Sequence, residues 1–260
     1  MPTDPTVEEQ WYKMLTDGEP INRHLYHLYG LLPSDPRCKL CAAPFKGVGG
    51  MLMRLIGRDQ SKYNPRFCMP CEKFDHPGGA EIVLTMLFAD VRDSTKLAEQ
   101  MSAKEFSQLI NRFYTVATHV MVQTDALVDR LMGDEAIGLY IPGFAGADHP
   151  RKAIEAAQDL LRLTGHRDAR GPWLPVGIGL HTGPAYVGVV GEENSPMDFT
   201  ALGDHVNVTA RLASEAGTGE ILVSEAAFSA AKLEHGDLEH RQLELKGKSE
   251  PVDVYVLRSI

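Results

Sequence analysis

Four side chains in the second part of the chain have the chemistry to handle a phosphorylated substrate. Asp90 follows the apolar run Ile82–Ala89, and Asp134 sits in a tight, glycine-containing turn. Asn207 and Arg211 are four residues apart, so on a helix they share one face. Carboxylates at strand ends bind divalent cations, and a guanidinium fork suits phosphate oxygens. The set suits phosphoryl transfer, although Asp90 by itself could equally be a helix cap.

The four cysteines of the chain form a second candidate site. They stand as two C-x-x-C pairs separated by residues 42–67: Cys38, Cys41, Cys68 and Cys71. Two such pairs can supply four thiolates to one tetrahedral ion, which predicts a structural zinc site. An iron–sulfur cluster is an alternative with the same ligands, whereas disulfides are disfavoured in a reducing compartment.

The distribution of charge bears on the kind of partner. The chain of 260 residues has a net charge of −9, but residues 37–74 carry eight Lys/Arg against two Asp/Glu. Residues 81–260 carry 16 against 26, which disfavours this part as a nucleic-acid surface. The basic side chains of Arg54, Arg58 and Lys62, with Arg66, are interleaved with a single aromatic residue, Tyr63, which is fewer than a base-stacking surface requires. We interpret them as a rim that balances the thiolates and docks on the acidic part, with a zinc-ribbon nucleic-acid binder as the alternative.

The sequence indicates no membrane segment. No apolar run reaches the roughly 18 residues of a spanning helix. The acidic start MPTDPTVEEQ lacks the basic-then-apolar layout of a signal peptide. We therefore expect a cytoplasmic protein.

The elements that must position these residues fall into two parts. Residues 1–77 are predicted to be a small helical and zinc-ribbon-like module, with a flexible turn at Phe45–Gly50 and a short helix at Met51–Ile56. The breaker-rich stretch His76–Gly79 marks the predicted boundary, and residues 78–260 form the second domain.

The second domain alternates between strand and helix patterns. The predicted strands and helices are Ile82–Ala89, Lys104–Thr124, Ala126–Arg130, Glu135–Ile141, Pro150–Leu163, Pro175–Leu180, Ala185–Val190 and Val206–Glu215. His181–Pro184 is interpreted as a hairpin joining the last two strands. This order predicts an α+β fold, a ferredoxin-like sheet with flanking helices.

Taken together, the motifs resemble those of the class III nucleotidyl cyclases, from about Glu81 to Val256. The resemblance rests on Phe88-Ala89-Asp90, on Gly133-Asp134-Glu135, on the segment Gly179–Gly183 and on the block Phe199–Arg211. It implies the class III cyclase fold and catalysis by two Mg²⁺ or Mn²⁺ ions.

The resemblance also implies roles for individual residues. Asp90 and Asp134 would bind the two metal ions, and Asn207 would orient the ribose. Arg211 would stabilise charge on the reacting phosphoryl group, and Lys246 would hold the polyphosphate.

Two positions select the base in this family, and here they are Arg130 and Thr200. Guanylyl cyclases usually have Glu and Cys at these places, so the resemblance favours ATP and an adenylate cyclase that makes 3′,5′-cyclic AMP and pyrophosphate. A guanylate cyclase is one alternative. Asp93 replaces a common glycine and Ser195–Met197 lacks a common arginine, which motivates the other alternative, a nucleotide-binding scaffold or sensor with little or no turnover.

The resemblance further implies a homodimer. In the family the metal-binding Asp pair comes from one subunit, while the base-selecting residues, Asn and Arg come from the other. Arg130 and Asp134 are neighbours on one hairpin, so they should serve different sites. Because one chain carries every part, we predict a two-fold homodimer with two equivalent sites.

Overall fold

The computed structural model describes residues 6–20, 22–62, 64–73, 78–191, 198–234, 236–248 and 250–258. Its elements are, in chain order, α1 (Val7–Asp17), α2 (Arg23–Gly30), α3 (Gly47–Leu55), α4 (Met69–Lys73), β1 (Gly78–Val91), α5 (Ser94–Gln100), α6 (Ala103–Gln123), β2 (Leu127–Met132), β3 (Glu135–Tyr140), α7 (Pro142–Ala145), α8 (His149–Leu163), β4 (Val176–Val190), β5 (Asp198–Leu202), α9 (Asp204–Glu215), β6 (Glu220–Ser224), α10 (Glu225–Ala230), β7 (Glu239–Leu243) and β8 (Val252–Arg258). Among these residues no helix combines the length and apolarity needed to cross a bilayer.

One sheet organises the chain, in the order β2-β3-β1-β4-β6-β8-β7. Its first four strands, β2-β3-β1-β4, pair antiparallel throughout and follow the β-α-β-β-α-β sequence of a ferredoxin-like unit. Strand β6 adds parallel to the first half of β4, while β5 pairs with its second half. The predicted ferredoxin-like α+β fold is therefore confirmed.

The hairpin predicted at His181–Pro184 is wrong, because β4 is one continuous strand. Residues 176–190 pair with the full length of β1, including Pro184 opposite Val83. On its other edge, β4 pairs with β6 only through residue 180 and with β5 only from residue 186. Pro184 falls between these stretches, where its missing N–H interrupts no ladder of the described sheet.

The two faces of the sheet are covered by different parts of the chain. Helices α6, α8 and α10 bury one face, with Phe113, Leu161 and Phe228 in its core. The opposite face lies under α1, α9 and the cysteine-containing segment, where Trp11 packs in the same core as Leu84. Residues on both sides of the predicted domain boundary thus share one hydrophobic core. His76 and Pro77 themselves lie outside the described residues.

The predicted flexible turn at Phe45–Gly50 is also wrong in part, because α3 begins at Gly47. Gly49 and Gly50 are buried, and a Cβ on either would lie within 2.5 Å of a backbone oxygen, of Pro33 and Phe45 respectively. These glycines permit close approach of two chain segments rather than flexibility.

Candidate active site and four-cysteine cluster

Asp90 and Asp134 lie together at one end of the β1–β3 pair. Asp90 stands opposite Glu135 in the register, and the Val91 N–H donates to the Asp134 carbonyl at 3.0 Å. Phe88, two residues before Asp90, faces the core shared with α9. Because side chains alternate along a strand, Asp90 faces that same side. The two predicted metal ligands therefore lie at the same end of the β1–β3 strand pair.

The turn after β1 supplies polar partners to both carboxylates. Arg92 forms an ion pair with Asp90, and the Ser94 hydroxyl donates to the Asp134 carboxylate. Arg92 also donates to the Ser214 carbonyl at 2.8 Å, near the end of α9. Burial lowers the pKa of Arg92, against the opposing effect of Asp134 and Asp93. Carboxylate and hydroxyl oxygens are hard donors, so this set fits Mg²⁺ or Mn²⁺.

The alternative reading of Asp90 as a helix cap is wrong, because Asp93 precedes α5. Asp93 has a left-handed backbone, with φ of 54°, and makes no side-chain cap hydrogen bond. Its carboxylate instead pairs with Lys96 at 2.6 Å, and that ammonium holds the pKa of Asp93 below its usual value. The extra negative charge in this turn is thus compensated within the turn.

A β-bulge sets the direction of Arg130. The register of β2 against β3 shifts between Val128 and Arg130, which places Arg130 opposite Ile137. Ile137 belongs to the core on the α9 side of the sheet. Without the extra residue Arg130 would turn to the opposite face, since side chains alternate with a period of two.

The structure brings the two predicted base-selecting residues together through a pair of aspartates. Arg130 donates to the Asp198 carboxylate at 2.9 Å, and the Thr200 hydroxyl donates to Asp129 at 3.3 Å. Asp198 and Thr200 lie on β5, whereas Asp129 and Arg130 lie on β2. Side-chain hydrogen bonds thus connect β2 and β5, which are not neighbours in the sheet.

Asp129 also belongs to this site, although the sequence motifs did not indicate it. It occupies the bulge, and its Oδ1 atom is buried without a hydrogen-bond partner among the described residues. Burial raises the pKa of Asp129 to about 6, although the hydrogen bond from Thr200 opposes the rise. Its adjacency to Arg130 was the available signal, but no strand periodicity predicts a bulge.

Helix α9 presents Asn207 and Arg211, as their spacing predicts. Asn207 is exposed in the first turn, while Val208 and Leu212 are buried on the other side of the helix. Arg211 approaches the Lys246–Lys248 loop, since a Cβ built on Gly247 would lie 3.4 Å from the guanidinium.

The same loop carries two lysines with different surroundings. Lys246 is exposed, whereas Lys248 forms an ion pair with Asp204 and lowers its pKa. Arg211 and Lys246 therefore place two positive charges on neighbouring segments, where they could bind phosphate oxygens.

The Gly179–Gly183 segment is part of β4, and it contacts α9 through two histidines, one on each element. His181 Nε2 and His205 Nδ1 lie 2.7 Å apart, and His181 Nδ1 lies 2.8 Å from the Ser224 hydroxyl. Burial and the nearby His205 lower the pKa of His181 to about 4. A Cβ on Gly183 would be 2.4 Å from the His205 ring, so this contact requires glycine. The segment serves to place α9.

The four cysteines converge in the way that the sequence predicts. Their Sγ atoms all lie within 4.8 Å of one another, and Cys41 and Cys68 are 3.7 Å apart. Four thiolates around one tetrahedral zinc lie about 3.8 Å apart, whereas a disulfide needs about 2.05 Å. All four thiols are free. The cluster therefore fits one metal ion with four sulfur ligands.

Two basic side chains of the cysteine-containing segment make the two kinds of contact predicted for it, one with the cysteine sulfurs and one with the acidic second domain. Arg58 Nη1 lies 3.6 to 3.8 Å from three of the sulfurs. Arg66 lies 3.6 Å from Asp125, just before β2. One cation thus balances the thiolates and the other docks on the second domain.

The sheet places the paired carboxylates and the Asn–Arg helix on one α+β scaffold, and comparison with known proteins identifies the family of this fold. Residues 81–259 match the family described as "Adenylate and Guanylate cyclase catalytic domain". The chain belongs to this family.

Individual relatives support the same assignment. The chain is 27% identical over 187 residues to an adenylate cyclase of Anabaena cylindrica, which covers 68% of this chain and 37% of that protein. Among solved structures it resembles the guanylyl cyclase Cya2, with a TM-score of 0.62 and 25% identity over 69% of this chain and 93% of the other. It also resembles the adenylyl cyclase CyaB from P. aeruginosa, with a TM-score of 0.60 and 27% identity over 70% and 97%. The chain thus spans about a third of the length of its Anabaena relative.

Proposed function

We propose that this protein is an adenylate cyclase, which converts ATP to 3′,5′-cyclic AMP and pyrophosphate for signal transduction. The observation that carries the proposal is the meeting of Arg130 and Thr200 on the sheet of a cyclase catalytic domain. A guanidinium donates to the acceptor nitrogens of adenine, and a threonine hydroxyl can donate or accept.

The residues of the chain divide the work of an internal displacement. Asp90 and Asp134 would hold two Mg²⁺ or Mn²⁺ ions, which would make the ribose 3′-hydroxyl more acidic and neutralise phosphate charge. Asn207 orients the ribose so that the 3′-oxygen attacks the α-phosphorus in line. Arg211 and Lys246 bind the charge that develops as pyrophosphate leaves.

The lack of direct contacts between these groups, among the described residues of one chain, supports a homodimer. No hydrogen bond or ion pair of the described residues joins Asp90 or Asp134 to Asn207 or Arg211. Arg92 links the carboxylate end to Ser214, which is about 10 Å along α9 from Asn207 at 1.5 Å per residue. We propose that each site combines the carboxylates of one subunit with the α9 residues of its partner.

The four cysteines are proposed to hold a structural Zn²⁺, because the sulfur separation matches a tetrahedral tetrathiolate site. An iron–sulfur cluster is the alternative. Metal analysis of the purified protein, combined with a visible absorption spectrum, distinguishes the two, since only the cluster absorbs strongly in the visible range. Either assignment is compatible with the reducing cytoplasm as its location.

The decisive experiment for the activity is a turnover assay with ATP and GTP in the presence of Mn²⁺. We expect cyclic AMP from ATP at a higher kcat/KM than cyclic GMP from GTP, and no product from an Asp90→Ala variant. Nucleotide binding without release of pyrophosphate from either substrate would instead indicate a scaffold or sensor.

One observation favours a guanylate cyclase as a second candidate. The carboxylate of Asp129 lies beside Arg130 with one oxygen unpartnered, and guanine offers two neighbouring donors that a carboxylate can accept. An Asp129→Asn substitution separates the two candidates. If GTP is the substrate, the variant loses GTP turnover selectively, whereas an ATP enzyme keeps its preference for ATP.

A further inference from the structure

The four-cysteine segment binds directly to the strand that carries Arg130. Asn64, between the two cysteine pairs, donates from Nδ2 to the Val128 carbonyl at 3.0 Å and accepts at Oδ1 from the Val128 N–H at 2.8 Å. Asn64 is buried, with 4% of its surface exposed. Strand β2 is the edge strand of the sheet, so this amide satisfies backbone groups that no neighbouring strand reaches.

Asn64 is itself held by Glu72, the residue that follows the second cysteine pair. Glu72 Oε1 accepts from the Asn64 backbone N–H at 3.0 Å, and Oε2 accepts from the Ser61 hydroxyl at 2.6 Å. Glu72 directly follows Cys71 on α4. Cys71, Glu72, Asn64 and Val128 therefore form one connected path from the sulfur cluster to β2.

The first cysteine pair reaches the start of the same strand. Lys39 lies between Cys38 and Cys41, and its Nζ donates to Asp125 at 2.7 Å and to the Phe144 carbonyl at 2.6 Å. Asp125 has a left-handed backbone two residues before β2 begins. Both pairs of cysteines are thus attached to the entrance of β2.

These contacts lie directly before the β-bulge in β2. Val128 is the last residue before the register shift, and Arg130 is the first residue after it. A bulge fixes the face on which the next side chain projects. The amide of Asn64 holds the backbone on the near side of the bulge, and so fixes where Arg130 points.

We propose that Asn64 is a positioning residue for Arg130, through which the ion in the four-cysteine cluster controls base selection. The proposal rests on the proposed cyclase function and deepens it. It makes the cluster a part of the substrate specificity of the enzyme rather than a remote stabilising element.

An Asn64→Ala variant of the full chain tests the proposal in a steady-state assay with ATP and GTP. We expect KM for ATP to rise about 10-fold with a smaller change in kcat, and the ATP:GTP preference to narrow, because a displaced Arg130 reads the base less well. Gln60→Ala is the matched control, since the Gln60 side chain donates to the Pro65 carbonyl inside the same segment, and none of its hydrogen bonds among the described residues reaches β2. Wild-type KM and preference in Asn64→Ala, with Gln60→Ala unchanged, would overturn the proposal.

Two further measurements do not depend on turnover. Metal content by mass spectrometry should be unchanged in Asn64→Ala, which excludes loss of the cluster as the cause. Hydrogen–deuterium exchange of residues 127–132 should be faster in Asn64→Ala than in Gln60→Ala, and removal of the ion from the wild type by a chelator should accelerate the same segment.

The outcomes separate the two proposals. Absence of turnover in the wild type defeats the proposed function, while the exchange data still report on the attachment of β2. Unchanged exchange in 127–132 after either the substitution or removal of the ion defeats the positioning role, whatever the turnover.

Discussion

Asp90 and Asp134 differ in the partners that the structure gives them, and this difference bears on how each could hold a cation. Asp90 pairs with a guanidinium, whereas Asp134 accepts from the small hydroxyl of Ser94. A hydroxyl can join a divalent ion as a further oxygen ligand, but a guanidinium must move aside. At the residue scale, Asp134 with Ser94 is therefore the more nearly preformed half of the candidate metal site.

We expect Asp134→Asn to lower Mn²⁺-dependent turnover by about 100-fold or more, because the amide keeps the shape of the side chain but removes the charge that is proposed to bind the metal. Asp93→Asn is the control in the same turn. Its carboxylate is exposed and paired with Lys96, so turnover should stay within about twofold of the wild type. Equal losses in both variants would argue against a special role for Asp134.

Asp129 predicts a pH dependence of stability. Its pKa is raised from 3.8 to about 6, so the folded state disfavours the charged form, and stability is lost as the pH rises from about 4 through 6. We expect Asp129→Asn to be more stable than the wild type at pH 7.5 by about 1–3 kcal/mol. Urea unfolding at several pH values measures this difference, which should narrow toward zero as the pH falls to about 4. A difference that is independent of pH would contradict the buried carboxylate.

At the scale of elements, local pattern predicted helices better than it predicted strand connections. The predicted helix Lys104–Thr124 is observed as α6 from Ala103 to Gln123, because its helical spacing and its Ser102–Glu105 capping box are both local signals. The continuity of β4 through Pro184 depends on which neighbours pair on each edge, and those pairings are distant in sequence.

In the candidate site, too, features that depend on local motifs were predicted, whereas features that depend on long-range contacts were not. The spacing of Asn207 and Arg211 and the convergence of the four cysteines followed from local motifs. The bulge at Asp129 and the amide of Asn64 against Val128 did not, since each arises where two separate elements meet. Long-range contacts of this kind leave no periodic signal in a single sequence.

The junction between the cysteine-containing segment and β2 gives a prediction at this scale. Asp125 accepts from Lys39 at 2.7 Å and from Lys152 at 2.8 Å. Burial alone would raise its pKa, but these two ammonium groups outweigh burial and hold the pKa below its usual value. The ion pairs of Asp125 therefore stabilise the folded protein at neutral pH, and this contribution to the free energy of unfolding is lost as the pH falls through the depressed pKa of Asp125.

We expect Asp125→Asn to reduce the free energy of unfolding by about 1–2 kcal/mol at pH 7, because it removes the negative charge that Lys39, Lys152 and Arg66 share at a partly solvated site. Asp159→Asn is the matched control, since it breaks an exposed pair with Arg162 and should change stability by no more than about 0.5 kcal/mol. Chemical denaturation of both variants measures the difference. Similar values for the two would show that the junction contributes little.

At the scale of the whole molecule, no hydrogen bond or ion pair among the described residues joins the two carboxylates to Asn207 or Arg211 within one chain. Asp90 lies near the end of β1 and Asp134 just before β3. Arg92 donates hydrogen bonds from that end of the sheet to the Ser214 and Ala216 carbonyls at the end of α9, about 10 Å along the helix from Asn207 at 1.5 Å per residue. Two-fold symmetry would bring the α9 of one subunit to the carboxylates of the other, twice in each dimer. Such a dimer would also tie the cysteine segment of one chain, through Arg130, to the site completed by its partner.

Complementation between inactive variants tests this arrangement. We expect Asp90→Ala and Arg211→Ala each to be inactive as homodimers, whereas a heterodimer isolated through two different affinity tags should recover about half of the wild-type turnover per dimer. One of its two sites combines intact carboxylates from the Arg211→Ala chain with an intact α9 from the Asp90→Ala chain. The control heterodimer of Asp90→Ala with Asp134→Ala should stay inactive, because neither of its sites has an intact carboxylate pair. An inactive first heterodimer would place all the catalytic residues of each site in one chain.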